Sequence, residues 1–113
     1  GDIEAIVNDV PGVHVGRAVA FGVTDEREGT ELIAVVAEVD PAHVETGTAD
    51  AERQAIARAV RAAVAQRAAV TVSFVHLVGP RWLLKTSSGK LARAANRDKW
   101  RAETEKATTD YTD

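Results

Sequence analysis

An unbroken apolar run at residues 32–37 constrains the fold more than any other part of the sequence. The run reads LIAVVA, and Asp40 and Pro41 end the segment that contains it. A strand with one face in water alternates apolar and polar residues, so an unbroken run of this length is typical of a central strand covered on both faces. The rest of the chain must therefore supply neighbouring strands and the helices that cover them.

Two other segments are predicted to be the neighbouring strands. Residues 15–23 alternate larger side chains with Gly or Ala, which indicates a strand that is approached closely on one face. Residues 70–78 also alternate and predict a further strand. The polar residues 24–30 contain Gly29 and predict a loop that joins two antiparallel strands. Together these segments predict a sheet of three strands.

Three segments have the spacing of helices. The first, at the start of the chain, has a capping residue before its apolar stripe and a Pro-Gly pair after it. The second is an Ala- and Arg-rich helix at residues 50–67, which follows a polar loop at residues 43–49. The third runs from about Gly89 to about Ala102. The apolar positions of the three stripes are Ile3, Ile6, Val7 and Val10, then Ile56, Val60 and Val64, then Leu91, Ala94, Ala95 and Trp100.

The element order α-β-β-α-β-α predicts an α+β fold, with a small three-stranded, mainly antiparallel sheet covered by helices. A chain of 113 residues provides one domain, and its hydrophobic content of 45% excludes a disordered chain. Only five residues are aromatic, so we expect a core of small side chains, chiefly Ala and Val. Residues 1–103 are predicted to form the domain, and residues 104–113 a flexible tail.

The composition excludes several kinds of site. The chain has no cysteine, which removes disulfides, thiol catalysis and Cys-based zinc or iron–sulfur sites. The three histidines, His14, His43 and His76, lack the short spacing of a helical metal site, and the acidic residues 25–28 lack the ligand pattern of a calcium loop. We therefore predict no metal site. The sequence has no membrane-spanning run and no signal peptide, so we expect a cytoplasmic chain.

Positive charge is concentrated towards the end of the sequence. Residues 1–79 contain six Arg or Lys against twelve Asp or Glu, whereas residues 80–113 contain eight against five. Most simply, such a segment complements a helix dipole and keeps a terminal helix soluble. Nucleic-acid binding is the alternative, but a chain with net charge −3 argues against it, and we expect no nucleic-acid partner. The basic patch would comprise Arg93, Arg97, Lys99 and Arg101.

The segment KTSSGK at residues 85–90 is the best candidate for chemistry. A phosphate-binding P-loop would need Gly five residues before Gly89 and Ser or Thr after Lys90, where this chain has Leu84 and Leu91. What remains is a turn in which Gly89 permits an unusual dihedral and Lys90 carries an ammonium at the end. These residues alone leave open either an ordinary capped turn or a functional loop. The hydroxyl groups that can bond to the loop backbone are those of Thr86, Ser87 and Ser88.

Residues 82–93, which read WLLKTSSGKLAR, resemble the C-terminal signature of the adenylate-forming ligases. This family comprises acyl-CoA synthetases, fatty acyl-AMP ligases and peptide-synthetase adenylation domains. The resemblance extends over about residues 2–100. The upstream segments that resemble the same subdomain, in the same order, are PGV at 11–13, AFGVTDE at 20–26 and GTELIAVV at 29–36.

The resemblance implies an ATP-dependent carboxylate ligase in which Lys90 is the catalytic residue. In that family the carboxylate attacks the α-phosphate of ATP, and the small C-terminal domain inserts the lysine that matches Lys90. The domain then rotates, so that CoA or the phosphopantetheine of an acyl carrier protein takes the acyl group. Residues 35–38 and 77–78 are more like acyl-CoA synthetases and fatty acyl-AMP ligases, which favours a fatty acid as the carboxylic acid substrate. The cofactor-binding loop that would present Lys90 consists of Lys85, Thr86, Ser87, Ser88 and Gly89.

The resemblance also implies a part that this chain lacks. In the family, a large N-terminal adenylating domain binds most of the ATP, the Mg²⁺ and the carboxylic acid, so the isolated chain is expected to be inactive. Leu84 is a departure, because the family usually has proline there; this predicts a less rigid turn. A second hypothesis, from another class, is a non-catalytic accessory module that docks on a partner protein.

Overall fold

The chain forms a three-stranded sheet with helices packed on its faces. In a computed structural model, residues 2–25, 29–40, 49–79 and 81–112 are described. The sheet has the order β1-β2-β3, in which β2 pairs antiparallel with β1 and parallel with β3. The predicted α+β class and element order are confirmed. The elements are α1 (Asp2–Asn8), β1 (Val13–Asp25), β2 (Thr30–Val39), α2 (Ala49–Ala68), β3 (Phe74–Val78) and α3 (Arg93–Thr112).

β2 is the central strand, as its apolar sequence predicts. Ala34, Val35, Val36 and Ala37 are fully buried. Because side chains alternate between the faces of a strand, Val35 and Ala37 join the core beneath α1 and α2, while Ala34 and Val36 join the core beneath α3. β3 follows β2 through the crossover helix α2, which allows these two strands to pair in parallel.

The larger core lies between α1, α2 and one face of the sheet. The turn that leads from α1 into β1 approaches α2 closely at Gly12, where φ is +98°. A Cβ at this position would lie 2.6 Å from Cδ1 of Ile56, so any other residue would strain the backbone and force Ile56 to shift. The predicted stripes of the first two helices are confirmed by the burial of Ile6, Val7, Val10, Ile56, Val60 and Val64.

A second core covers the opposite face of the sheet and fixes α3. The centroid of the Trp100 ring lies 5.7 Å from that of Phe21 and 5.4 Å from that of Phe74. In both pairs the ring planes are inclined to each other, as aromatic pairs prefer. Leu83 is buried in the same cluster. This core therefore brings the segment that precedes Lys85 against α3 and the sheet.

The third strand is shorter than predicted. β3 begins at Phe74 rather than at residue 70. Residues 70–72 instead connect the end of α2 to the sheet, and Val72 is buried in the larger core. The alternation at residues 70–72 thus reflects packing against the core and not pairing with β2.

The final helix begins and ends later than predicted. α3 begins at Arg93 because Leu91, which the sequence pattern places in the helix, forms an antiparallel bridge with Lys85. The helix continues to Thr112 instead of ending near Ala102. Trp100 is buried as predicted. Ala94 and Ala95, which the sequence pattern places on the buried face, are exposed. The buried face carries Asn96 in their place, and the next subsection gives its partners.

Some sequence predictions concern residues outside the described ranges. These are most of the acidic run at residues 25–28, the loop at residues 43–49 apart from its last residue, and His43. The flexibility of residues 104–113 stays a prediction.

Gly12→Ala is expected to destabilise the chain more than Gly16→Ala. Both glycines have positive φ, +98° and +80°, so alanine strains the backbone at both sites by about 1 kcal/mol. Only at Gly12 does the new Cβ meet Ile56, because nothing lies within 4 Å of a Cβ at Gly16. Overpacking adds about 1–3 kcal/mol. Urea unfolding measures both losses, and equal losses would contradict the close approach of Gly12 to α2.

Candidate functional site

Residues 84–92 form a short turn that we call the lysine hairpin. Its two sides meet in the bridge between Lys85 and Leu91. The Thr86 N–H donates to the Lys90 carbonyl at 2.7 Å, and the Gly89 N–H donates back to the Thr86 carbonyl at 2.9 Å. Gly89 has φ of +87°, a conformation that glycine adopts without steric cost. Gly89 thus allows the chain to reverse immediately before Lys90.

The hydroxyl-rich side of the lysine hairpin is exposed. The hydroxyl oxygens of Thr86 and Ser88 lie 2.9 Å apart and share a hydrogen bond. This bond joins two side chains across the turn, whereas the sequence predicts bonds from the hydroxyls to the loop backbone. It still narrows the range of turn conformations, because it links residues on both sides of Ser87.

Lys90 lies at the end of the lysine hairpin with its side chain exposed. Among residues 2–25, 29–40, 49–79 and 81–112, no carboxylate or carbonyl oxygen is paired with its ammonium. Lys85, on the other side of the hairpin, is also exposed. The ammonium of Lys90 is therefore available to an anion that approaches from outside the domain.

Asn96 holds the base of the lysine hairpin. Its side chain has 0% exposure, and its Oδ1 accepts the Leu84 N–H at 2.7 Å. Its Nδ2 donates to the Leu84 carbonyl at 3.1 Å, and the Ala92 N–H donates to that same carbonyl at 2.9 Å. A single side-chain amide therefore bonds both backbone polar groups of Leu84, where the hairpin begins.

The two residues before Leu84 are also held by side chains. Glu38, at the end of β2 and 2% exposed, accepts the Leu83 N–H through Oε2 at 3.1 Å. Lys99 donates from Nζ to the Trp82 carbonyl at 2.6 Å, and the same ammonium lies 4.2 Å from the centre of the Trp82 ring. We call Glu38, Asn96 and Lys99 the anchor residues, because they bond the backbone of three consecutive residues.

The sequence contains only faint signals for the anchor residues. Glu38 is a single acidic residue that follows an apolar run, and Asn96 lies four residues before Trp100, on the face of α3 that packs against the sheet. In both cases a polar residue occupies an otherwise apolar stripe. Buried polar side chains need partners, so such a residue indicates a hydrogen bond in the core, but it does not identify the partner.

The start of α3 is tied to α1 by an ion pair. Arg93 donates from Nε and Nη2 to the two carboxylate oxygens of Glu4, at 3.2 and 2.9 Å. Glu4 also accepts the Ala20 N–H at 2.9 Å. Burial raises the pKa of the Glu4 carboxyl, but the bonds from Arg93 and Ala20 outweigh it and hold the pKa below its usual value of 4.5. The ionised form of Glu4 is therefore the one that stabilises the fold.

The basic patch named in the nucleic-acid alternative is mostly engaged within the chain. Arg93 pairs with Glu4, Arg97 lies 3.4 Å from Asp98, and Lys99 bonds the Trp82 carbonyl. These ion pairs and this hydrogen bond within the chain account for the positions of the three side chains. The absence of a nucleic-acid partner stays a prediction.

The histidines that the structure describes do not gather into a metal site. His14 is exposed, while His76 is half-buried with its ring 5.8 Å from that of Trp82. Burial lowers the pKa of His76, an effect that nearby Glu103 opposes and Arg53 reinforces. Within the described residues, no three His, Asp or Glu side chains are grouped as metal ligands would be. Nor does that part of the chain contain a helix with the length and hydropathy to cross a membrane.

Comparisons with known proteins give the family. No family model matches the chain. Over 94 residues, or 83% of the chain, it is 36% identical to a Mycobacterium tuberculosis protein named as a probable long-chain-fatty-acid–AMP ligase, FadD30. The chain spans about 15% of the length of that curated relative.

Solved structures agree with this relationship. A fatty acyl-adenylate ligase from a study of the Escherichia coli and Legionella pneumophila enzymes matches 96% of the chain and 17% of its own, at 29% identity and a TM-score of 0.65. A keto acid-selecting NRPS module with adenylation, ketoreductase and pseudo Asub domains matches 89% of the chain and 8% of its own, at 25% identity and a TM-score of 0.77. The chain is therefore a relative of the adenylate-forming ligases, and both the sequence relative and the first of these structures are named as fatty acyl-AMP ligases.

Glu4→Gln is expected to lower stability at neutral pH by about 1 kcal/mol or less, since Arg93 is largely exposed and its ion pair is screened by water. Because the pKa of Glu4 is lowered by folding, its contribution is complete above pH 4.5 and is lost as the pH falls through the folded value. The difference between wild type and variant should therefore shrink in acid. Unfolding experiments at pH 7 and pH 3 measure it.

Asp98→Asn provides the control, because Asp98 is exposed and, among the residues that the structure describes, pairs only with its neighbour Arg97. This substitution should change stability little at either pH. A Glu4→Gln loss that is the same at pH 3 and pH 7 would contradict the importance of the Glu4 charge.

Proposed function

We propose that the chain is the C-terminal catalytic subdomain of an ATP-dependent carboxylate ligase, and that Lys90 supplies the cation for acyl-adenylate formation. The resemblance of residues 82–93 to the family signature supports this role. The relationship to a protein named as a fatty-acid–AMP ligase supports a fatty acid as the carboxylic acid. Transfer of the acyl group to CoA or to the phosphopantetheine of a carrier protein would follow adenylation.

The exposure of Lys90 is the observation that carries the proposal. In adenylation, a carboxylate oxygen forms a bond to the α-phosphorus of ATP as the bond from that phosphorus to the pyrophosphate oxygen breaks. Negative charge develops on the phosphoryl oxygens, and a cation already held beside them lowers the barrier. Lys90 has the exposure that this needs, on a turn whose base is bonded by Asn96. An ammonium already paired within its own domain could not act in this way without first breaking that pair.

The rest of the active site belongs, in this proposal, to the large N-terminal adenylating domain. That domain would bind the carboxylic acid, most of the ATP and the Mg²⁺, which neutralises phosphate charge. The chain would contribute the lysine hairpin and then rotate, so that the acyl acceptor reaches the adenylate. The isolated chain would have no ligase activity, because the groups that bind its substrates lie outside it.

Lys90→Ala is expected to reduce ATP–pyrophosphate exchange about 10²–10³-fold when the chain is assembled with its large adenylating domain. The loss arises because the transition-state charge loses its cation. Transfer of the acyl group from preformed adenylate should fall much less, since the ammonium is withdrawn for that step. The two half-reactions are measured separately, by isotope exchange and by thioester formation.

Arg58→Ala is the matched control, because it removes one positive charge from an exposed position on α2. It should leave both half-reactions unchanged. Undiminished exchange in Lys90→Ala would show that the lysine has no part in adenylation. Tight binding of the wild-type chain to the large domain without any exchange would favour the accessory module instead.

A further inference from the structure

The amide of Asn96 makes a paired contact with one residue of the backbone. Its oxygen accepts from the Leu84 N–H at 2.7 Å, and its nitrogen donates to the Leu84 carbonyl at 3.1 Å. Two bonds from one planar group fix the peptide planes on both sides of Leu84. The Ala92 N–H bonds the same carbonyl, so the contact joins both ends of the lysine hairpin.

Asn96 is itself held firmly. Its backbone N–H donates to the carbonyl of Ala92, the residue before α3, at 2.9 Å. Trp100 lies one turn further along the same face and packs against Phe21 and Phe74. The side-chain amide is therefore oriented by the helix, and the helix is oriented by the aromatic contacts with the sheet.

Leu84 makes a contact that proline could not make. The bond to Asn96 Oδ1 requires a backbone N–H, which proline lacks. The Leu84 side chain is 41% exposed, so its packing contributes little to fixing the turn. Leu84 in place of proline predicts a less rigid turn, and this stays a prediction. The two bonds from Asn96 act against such loosening, because they restrict the backbone of Leu84.

The geometry points to Asn96 as a positioning residue that sets the direction of the lysine hairpin by bonding the backbone of Leu84. This inference rests on the proposed function of Lys90, since direction matters only if the ammonium must reach a reacting centre. Asn96 acts through Leu84 and touches no substrate. Its function requires an acceptor and a donor on one side chain, and neither leucine nor aspartate provides both.

The first test uses amide hydrogen exchange on the 113-residue chain. Asn96→Leu fills a similar volume without either bond, so we expect the Thr86, Gly89 and Ala92 amides to exchange about tenfold faster or more. The amides of Val35 and Val36 in β2 should keep their rates, which shows that the fold is intact. The matched control is Asn8→Leu, which removes another asparagine that accepts a backbone N–H, that of Gly16, and should leave the hairpin rates unchanged.

The second test asks whether proline can replace the hydrogen bonds. Adding Leu84→Pro to Asn96→Leu removes the orphaned N–H and restricts the backbone, so the double variant should recover slow exchange at Thr86 and Gly89. In the assembled ligase, Asn96→Leu should lower kcat for adenylation about tenfold with little change in KM for ATP, and the double variant should recover much of it. A loss of global stability alone would not be rescued in this selective way.

The outcomes separate this inference from the proposed function. The inference is overturned if the amides of the lysine hairpin exchange at unchanged rates in Asn96→Leu. It is also overturned if these amides exchange faster but adenylation keeps its wild-type rate, in a ligase that Lys90→Ala inactivates. If Lys90→Ala has no effect on adenylation, the proposed function fails, and the exchange rates still decide whether Asn96 positions the hairpin. If Asn96→Leu does not fold, the stability cost of Leu84→Pro in two backgrounds provides the test. Leu84→Pro should destabilise the wild-type chain, because it leaves Asn96 Oδ1 unpaired, and should cost less in an Asn96→Ala chain, which lacks that oxygen. Equal costs in the two backgrounds would overturn the inference.

Discussion

The hydrogen bonds to the backbone of residues 82–84 determine where the lysine hairpin lies. They come from two elements, since Glu38 is on the central strand while Asn96 and Lys99 are on α3. Apolar burial is not directional, so the packing of Trp100 against the sheet could not by itself fix the orientation of a neighbouring loop. Hydrogen bonds are directional, and at buried positions they are costly to break. The domain thus combines an apolar core, which holds its elements together, with polar anchor residues that orient one turn.

The cations around the lysine hairpin fall into two groups. Arg93 and Lys99 are engaged inside the domain, the first by the carboxylate of Glu4 and the second by the carbonyl and ring of Trp82. Lys85 and Lys90 point into solvent. The internal pairs stabilise the structure on which the hairpin is built, while the exposed ammonium groups remain available to anions from elsewhere. In the proposed function the domain is inactive alone and completes the site of another domain, which gives a reason to keep these two groups distinct.

Most of the fold could be predicted from the sequence because it follows from apolar periodicity. The unbroken run at residues 32–37 identified the buried central strand, and the stripe of Ile56, Val60 and Val64 identified α2. The start of α3 could not be found in this way. The pattern of residues 89–91 is compatible with a helix, but these residues form hydrogen bonds and a bridge across the lysine hairpin instead.

The candidate site was predictable only in part. Family resemblance points to Lys90 and its turn as the candidate site, but periodicity treats Asn96 as an interruption and prefers Ala94 and Ala95, which are exposed. The partners of Glu38 and Asn96 are backbone N–H and carbonyl groups, which residues of almost every type possess, so nothing in the sequence marks them. Only the three-dimensional arrangement shows that Leu83 and Leu84 are the residues bonded.

The central claim is that the Lys90 ammonium enters a reacting centre built by another domain. Competitive acetylation with mass spectrometry tests it most directly, because it reports the access of each lysine. In the chain alone, Lys90 should react as an exposed lysine does. In the assembled ligase with a fatty acid and a non-hydrolysable ATP analogue, Lys90 should become strongly protected. Equal labelling of Lys90 in both samples, under conditions where the analogue is bound, would contradict the account.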